Sequence, residues 1–149
     1  MRAVVQRVSS AEVSVAGERV CHMREGLLAF VGVGRADGVD QVAEMARRLV
    51  HLRVFGDDAG RMNRSLLDTG GTLGIVSQFT LYGDARQGRR PFFGDAAPAD
   101  RAAPLIDALI AAAEGHGASV VAGRFQAMME VALVNSGPVT ILLDTDRLF

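Results

Sequence analysis

The 149-residue sequence contains no lysine: all sixteen basic residues are arginine. That excludes Schiff-base chemistry, a lysine nucleophile and the lysine of a phosphate-binding P-loop. Tryptophan is also missing, and the one cysteine, Cys21, excludes an internal disulfide and a multi-cysteine zinc site. Cys21 reads as a small core residue. His22, His51 and His116 fall in a strand-like stretch, a helix end and a loop, with no pair at ligand spacing, so no metal and no cofactor are expected. The longest apolar runs, Leu27–Val31 and Ile141–Leu143, fall far short of a membrane span. Met1-Arg2-Ala3-Val4 runs directly into a strand-like pattern without the features of a secretory leader, which gives the expectation of a cytoplasmic protein. Neither charge sign prevails: sixteen basic residues against seventeen acidic ones leave −1. No bulk positive field draws such a chain onto nucleic acid, and any contact of that kind needs a local patch.

What the chain does have is 49% hydrophobic residues against 22% charged, enough for one globular domain spanning 1–149. Arg2–Val8 is β-rich. Residues 11–22 read as a hairpin turning at Ala16-Gly17, and Gly26–Val33 as a strand buried on both faces. Over 38–50 the period becomes helical, with Val39, Val42, Ala43, Ala46, Leu49 and Val50 on one stripe. Leu52–Phe55 and the stretch from Gly70-Gly71 to Ser77 read as strands, and 83–97 as a long ordered loop. A second helix over Ala99–Glu114 carries Ala102, Leu105, Ile106, Leu109, Ile110 and Ala113. Strands are predicted at Ser119–Val121, Met128–Val134 and Val139–Leu143. The sum is an α+β domain with seven or eight strands and two main helices.

Three stretches concentrate chemistry. Ser77-Gln78-Phe79-Thr80-Leu81-Tyr82 sits where a buried strand runs out into a loop and carries hydroxyls, an amide and aromatics without charge. The plain alternative is that Ser77 and Thr80 satisfy local backbone groups. Asn135-Ser136-Gly137-Pro138-Val139-Thr140 lies between two strands and reads equally as a turn. Arg86-Gln87-Gly88-Arg89-Arg90-Pro91-Phe92-Phe93 is either a phosphate- and base-binding patch, extended by Arg61 and Arg64, or a solvated loop. Gly32-Val33-Gly34 follows a strand, but Asp37 stands where a dinucleotide fingerprint needs its third glycine, so it reads as a tight turn. A Ser-His-Asp triad fits poorly, since there is no nucleophile elbow.

Taken together and in this order, Ser77–Leu81, Gly88 with Arg90-Pro91, and Asn135–Thr140 resemble the D-aminoacyl-tRNA deacylase family. Met1–Val8, Arg53-Val54-Phe55, Met62-Asn63 and Gly123-Arg124-Phe125 extend the resemblance over essentially the whole chain. It implies a homodimer of compact, β-barrel-like layered β/β/α domains, with its active site shared across the subunits. It implies an editing esterase (a carboxylic ester hydrolase) that cleaves a D-amino acid or glycine from the 3′-terminal adenosine of tRNA and spares L-aminoacyl-tRNA. On that template Ser77, Gln78, Phe79 and Thr80 line the reaction centre. Gly137 and Pro138, joined by a cis peptide, form the chiral filter, supported by Arg7, and Met129 approaches the adenosine. Arg86, Arg89 and Arg90 face the tRNA. Catalysis would rest on main-chain N–H groups of Phe79 and Thr80 and on the 2′-hydroxyl of the tRNA; Thr80 as nucleophile is the weaker role. The chain departs from the family pattern at Gln87, Phe92, Gln126 and Ser136. Competing readings are an RNA-binding module without hydrolysis, and a related branch with a trans Gly-Pro and relaxed chiral selectivity.

Overall fold

A computed structural model describes residues 1–148. The backbone of the fold is β1 (Arg2–Val15), which pairs antiparallel with β3 (Gly26–Gly32) along its first half and with β2 (Glu18–Met23) along its second. Its other edge carries β8 (Met129–Asp144) over nearly the full length. Parallel pairing adds β6 (Thr72–Ser77) beside β3 and β7 (Ser119–Ala122) beside β6, and β2 curls round to meet β7. The sheet therefore rolls into a nearly closed barrel. Ala16 and Gly17, both at positive φ (51° and 81°), make the tight turn between β1 and β2.

Two cores follow from strand alternation. Ala3, Val5, Leu27, Ala29, Leu73 and Ile75 point to the helix side and meet α1 (Val39–His51) and α3 (Ala99–Gly115). Val8, Val13, Met23, Leu28 and Val76 point the other way and fill the rolled sheet. Sheet, second sheet wall and helix layer are the β/β/α stack that the resemblance implies. A short hairpin, β4 (Phe55–Gly56) with β5 (Met62–Arg64), and the one-turn helix α2 (Leu66–Thr69) fill the connection from α1 to β6. Among the described residues no helix is long and apolar enough to cross a membrane.

Several expectations need correction. Leu52–Phe55 is not a strand as a whole; pairing begins only at Phe55. The buried stripe of α1 is Val42, Met45, Ala46, Leu49 and Val50, while Val39 is 74% exposed and Ala43 faces solvent. Met45 takes the place of Val39 in the buried stripe, in the same core cluster as Ala102, Ile106 and Leu109 of α3. The strand expected over Arg2–Val8 runs on to Val15, and the two strands expected at Met128–Val134 and Val139–Leu143 are one. Asn135–Thr140 is thus not a turn between two strands but an excursion inside β8. Between the pairs Gln6↔Thr140 and Val8↔Asn135, β1 advances by Arg7 alone while β8 loops out through Ser136, Gly137, Pro138 and Val139. The Asn135 amide spans the excursion, donating to Arg7 O at 3.0 Å and Val139 O at 3.1 Å.

Candidate active site

β6 ends beside β3, with Ser77 opposite Val31 and the Gln78 N–H donating to Val31 O at 2.8 Å. Gln78 then breaks the strand, and Phe79–Tyr82 wind into a single 3-10 turn. Two glycines make room for it. A Cβ on Gly32 would stand 2.9 Å from Gln78 O, and one on Gly34 would stand 2.7 Å from the Tyr82 hydroxyl. Gly32-Val33-Gly34, read from sequence as a tight turn, is where β3 lets this 3-10 turn lie against it.

The turn is anchored from below. The buried Asp37 carboxylate accepts the Gly34 N–H at 2.6 Å, the Met1 α-ammonium at 2.7 Å and the Tyr82 hydroxyl at 3.3 Å. Arg2 lies over the Tyr82 ring, 4.5 Å from its centroid. Burial, reinforced by the Asp37 charge, pushes the Tyr82 phenol well above its ordinary pKa. Internal bonds begin only with the Leu81 N–H to Gln78 O (3.3 Å) and the Gly83 N–H to Thr80 O (2.9 Å). The Phe79 and Thr80 N–H groups therefore have no backbone acceptor among the described residues. The Gln78 amide donates to Thr80 Oγ1 at 2.5 Å, leaving the hydroxyl proton of Thr80 free.

These groups border a cavity of about 670 Å³. Ser77, Gln78, Phe79 and Thr80 line one wall, Ala102 and Ile106 of α3 another, and Phe125–Met128 of the β7–β8 link, with Met129 opening β8, the rim. Expected site residues Ser77–Thr80 and Met129 thus come together. Phe125 and Gln126 join them; in the sequence Phe125 is part of the family resemblance and Gln126 a departure from it, neither with a role.

Gly137, Pro138 and Arg7 do not border this cavity. Arg7 donates from Nε to Ser136 O at 3.2 Å and from Nη1 to Val54 O, and its guanidinium lies where a Cβ on Gly137 would sit. Gly137 has φ +115°, and both Gly137 and Pro138 are exposed. No described peptide bond is cis, so Gly137–Pro138 is trans in the single chain, where the resemblance implies cis. Arg7 is opposite Leu27, and Ser77 is opposite Val31, four residues further along β3 and on the far side of it from β1. With strands ~4.8 Å apart and ~3.3 Å per residue, the Gly-Pro excursion and the reaction-centre turn of one chain are on the order of 20 Å apart along the sheet.

The arginine loop is ordered by its own contacts. Asp84 and Phe92 exchange backbone bonds of 2.8 Å, and Arg86 is paired with Asp84 at 2.6 Å. The Arg86 side chain, then its backbone N–H, hold the Asp84 carboxyl down to about 2. Arg89 and Arg90 are exposed and make no ion pair with a described residue. The histidines expected to be scattered are not entirely so: the rings of His51 and His116, at the ends of α1 and α3, meet edge to face with centroids 5.8 Å apart. Among the described residues no three His, Cys, Asp or Glu side chains cluster to hold a metal ion. Cys21 is half-buried against the inner core, and burial raises its thiol pKa.

A family model described as D-Tyr-tRNA(Tyr) deacylase matches residues 4–144. The "D-aminoacyl-tRNA deacylase" of Roseiflexus sp. (strain RS-1) is 54% identical over 97% of this chain and 94% of its own. A solved structure described as "c-Myc DNA Unwinding Element Binding Protein" superposes with a TM-score of 0.92 at 33% identity, covering 97% of this chain and 99% of that one. Another, described as a probable eukaryotic D-amino acid tRNA deacylase, has a TM-score of 0.81 at 16% identity over 95% and 97% of the two chains and shares the fold.

Proposed function

This chain belongs to the D-Tyr-tRNA(Tyr) deacylase family, and we propose on that footing an editing esterase that frees tRNA from D-amino acids and from mischarged glycine while sparing L-aminoacyl-tRNA. The observation that carries the assignment of the site is the pair of unsatisfied N–H groups at Phe79 and Thr80 on the wall of the cavity. An aminoacyl ester is already activated, so a modest catalyst suffices. Water adds to the ester carbonyl, and the carbonyl oxygen takes the negative charge. The two N–H groups stabilise that oxyanion without any side chain changing protonation state. Collapse breaks the bond to the 3′-oxygen; of the two protons that water brings, one goes to that oxygen, which leaves as the tRNA hydroxyl, and the other passes to solvent, with the amino acid freed as its carboxylate. The neighbouring 2′-hydroxyl is placed to relay the proton.

Chirality requires something rigid facing the α-carbon. Gly137 and Pro138 suit that task, held from behind by Arg7, but they stand far from the cavity of their own chain. The filter therefore comes from a second copy, and the working unit is a homodimer with a cross-subunit site. Exposed apolar residues on the outer side of β8, Val134 and Leu142 (57% and 54% exposed), suit a surface that a second copy covers. Arg89 and Arg90, with Arg86 beside them in its salt bridge to Asp84, supply the local positive patch for the tRNA backbone that the overall charge of −1 does not. The enzyme works in the cytoplasm, where aminoacyl-tRNA is found, and uses no metal.

The trans Gly137–Pro138 peptide of the single chain favours one second reading, a related branch with relaxed chirality. Deacylation of D-Tyr-tRNA, L-Tyr-tRNA and Gly-tRNA side by side separates the two. Rapid loss of the D- and glycyl esters with the L-ester intact is expected. Comparable D and L rates mean the relaxed branch, and no turnover on any ester means a binding module.

A further inference from the structure

Among the described residues, three non-glycine residues have positive φ: Ala16, Gln126 and Arg147. Ala16 makes the β1–β2 turn and Arg147 lies beyond β8. Gln126, at φ +58°, alone borders the cavity. It sits in the third position of the turn Arg124–Ala127, closed by the Ala127 N–H to Arg124 O at 3.3 Å. Glycine adopts that conformation without a steric penalty, and a side chain there is held against strain. Strain kept beside a ligand site points to a use for the side chain.

The use follows from its surroundings. Phe125, Ala127, Met128 and Met129 make the rim apolar, and the Gln126 carboxamide is the polar exception among them. It makes no hydrogen bond to any described side chain, so both its donor and its acceptor are free for a ligand. The reading above places the ester at Ser77–Thr80, so the adjoining rim receives the terminal nucleoside, whose base is always adenine. The ring of Phe125 and the thioether of Met129 offer apolar contact to a purine face. A carboxamide at the edge of such a platform can accept from the adenine 6-amino group and donate to a ring nitrogen, the two-point pairing that glutamine makes with adenine. We propose that Gln126 is a specificity-determining residue that reads the edge of the 3′-terminal adenine, at the expense of local backbone strain. The proposal rests on the cavity being the deacylase site.

The test uses the full chain with AMP and inosine 5′-monophosphate as probes; the latter replaces the 6-amino donor with a carbonyl. The unmodified protein is expected to bind AMP more tightly than inosine monophosphate by about tenfold, one good polar pair. Gln126→Gly should abolish that preference, weaken AMP binding about tenfold and raise the KM for D-Tyr-tRNA more than it lowers kcat, while raising Tm because the strain is gone. Gln126→Ala should lose the preference equally without gaining Tm, which separates the amide from the backbone. An AMP affinity and preference unchanged in Gln126→Gly overturns the proposal. So does an unmodified protein that deacylates D-Tyr-tRNA yet binds the two nucleotides equally, an outcome that leaves the esterase reading intact. Absence of turnover in the unmodified protein removes the reading beneath it instead.

Discussion

The rings of Phe79 and Phe93 meet edge to face, with centroids 5.2 Å apart and planes inclined at 68°. One ring belongs to the reaction-centre turn and the other closes the arginine loop. The Phe93 ring also lies 2.9 Å from where a Cβ on Gly83 would stand, so no larger residue at 83 would let it reach Phe79. The contact joins the loop proposed to meet tRNA to the turn whose backbone N–H groups are proposed to meet the ester. An aromatic pair of this kind contributes about 1 kcal/mol beyond its buried area. Phe93→Ala should therefore lower kcat/KM for D-Tyr-tRNA about fivefold with a small fall in Tm, and Phe93→Tyr should restore it. Single-turnover rates check this; an unchanged rate in Phe93→Ala means the loop and the turn are independent.

Asp84 neutralises Arg86 within that loop. Its carboxyl is held down to about 2, so the pairing is complete above the ordinary value of 3.8 and is lost only as pH falls through the lowered one. At neutral pH, Asp84→Asn frees one arginine. The slope of log affinity for tRNA against log salt should steepen by about 0.7–0.9, one added phosphate contact. Filter binding at several salt concentrations measures it, and an unchanged slope removes Arg86 from the tRNA surface.

Tyr82 gives a prediction at the alkaline end. Its folded pKa lies above the ordinary 10.0, so the unfolded chain loses this proton first. The contribution to stability is whole below pH 10 and declines as pH rises beyond it. Urea midpoints at pH 9 and 11 should fall more in the unmodified protein than in Tyr82→Phe. The phenylalanine variant should lose about 1 kcal/mol at pH 7 through the missing bond to Asp37.

The long periodic elements were legible in the sequence. α3 carries its expected stripe, with Ala102, Ile106, Leu109 and Ala113 buried. So was the role of Ser77–Tyr82 as a strand end, because a charge-free polar cluster after an apolar run is a local signal. What was not legible depends on pairing at a distance. Nothing near Asn135 in sequence says that Arg7 will lie opposite and let four residues loop out without ending the strand. Asp37 looked like a missing glycine until the fold delivered the Met1 ammonium and the Tyr82 hydroxyl to it. Met45 displaced Val39 from the α1 stripe because α3, not helical period alone, sets the buried face.

Phe79 lets one backbone N–H be deleted by itself. It opens the 3-10 turn, where its N–H has no internal acceptor, and Gln78 before it (φ −145°, ψ 80°) lies outside the α region that a following proline disfavours. Phe79→Ala removes the ring and keeps the N–H, whereas Phe79→Pro removes both. If the N–H holds the oxyanion, the proline variant should be about 10²–10³ slower in kcat than the alanine variant at similar Tm. Thr80→Ala, which keeps its N–H, should retain most activity. Equal rates for the two Phe79 variants with a dead Thr80→Ala would transfer the chemistry to the hydroxyl.

Phe79→Pro also tests whether the site crosses the dimer. Gly137→Val should disable the filter segment, because φ +115° disfavours any side chain and a Cβ there meets the Arg7 guanidinium. Each variant alone leaves both sites of a dimer defective, the first in its cavities and the second in the segments that enter them. In a mixed dimer the intact cavity of the Gly137→Val chain faces the intact Gly-Pro segment of the Phe79→Pro chain. One site is whole and the other carries both lesions. Random exchange makes half the dimers mixed, so chiral discrimination between D- and L-Tyr-tRNA should return in about a quarter of all sites. Cavity and filter within one chain would place both lesions in different sites of the mixed dimer, and no whole site would form. Refolding the two variants together and separately, then comparing D- and L-ester hydrolysis, decides between them: recovery upon mixing requires a shared site, and its absence from verified mixed dimers refutes one.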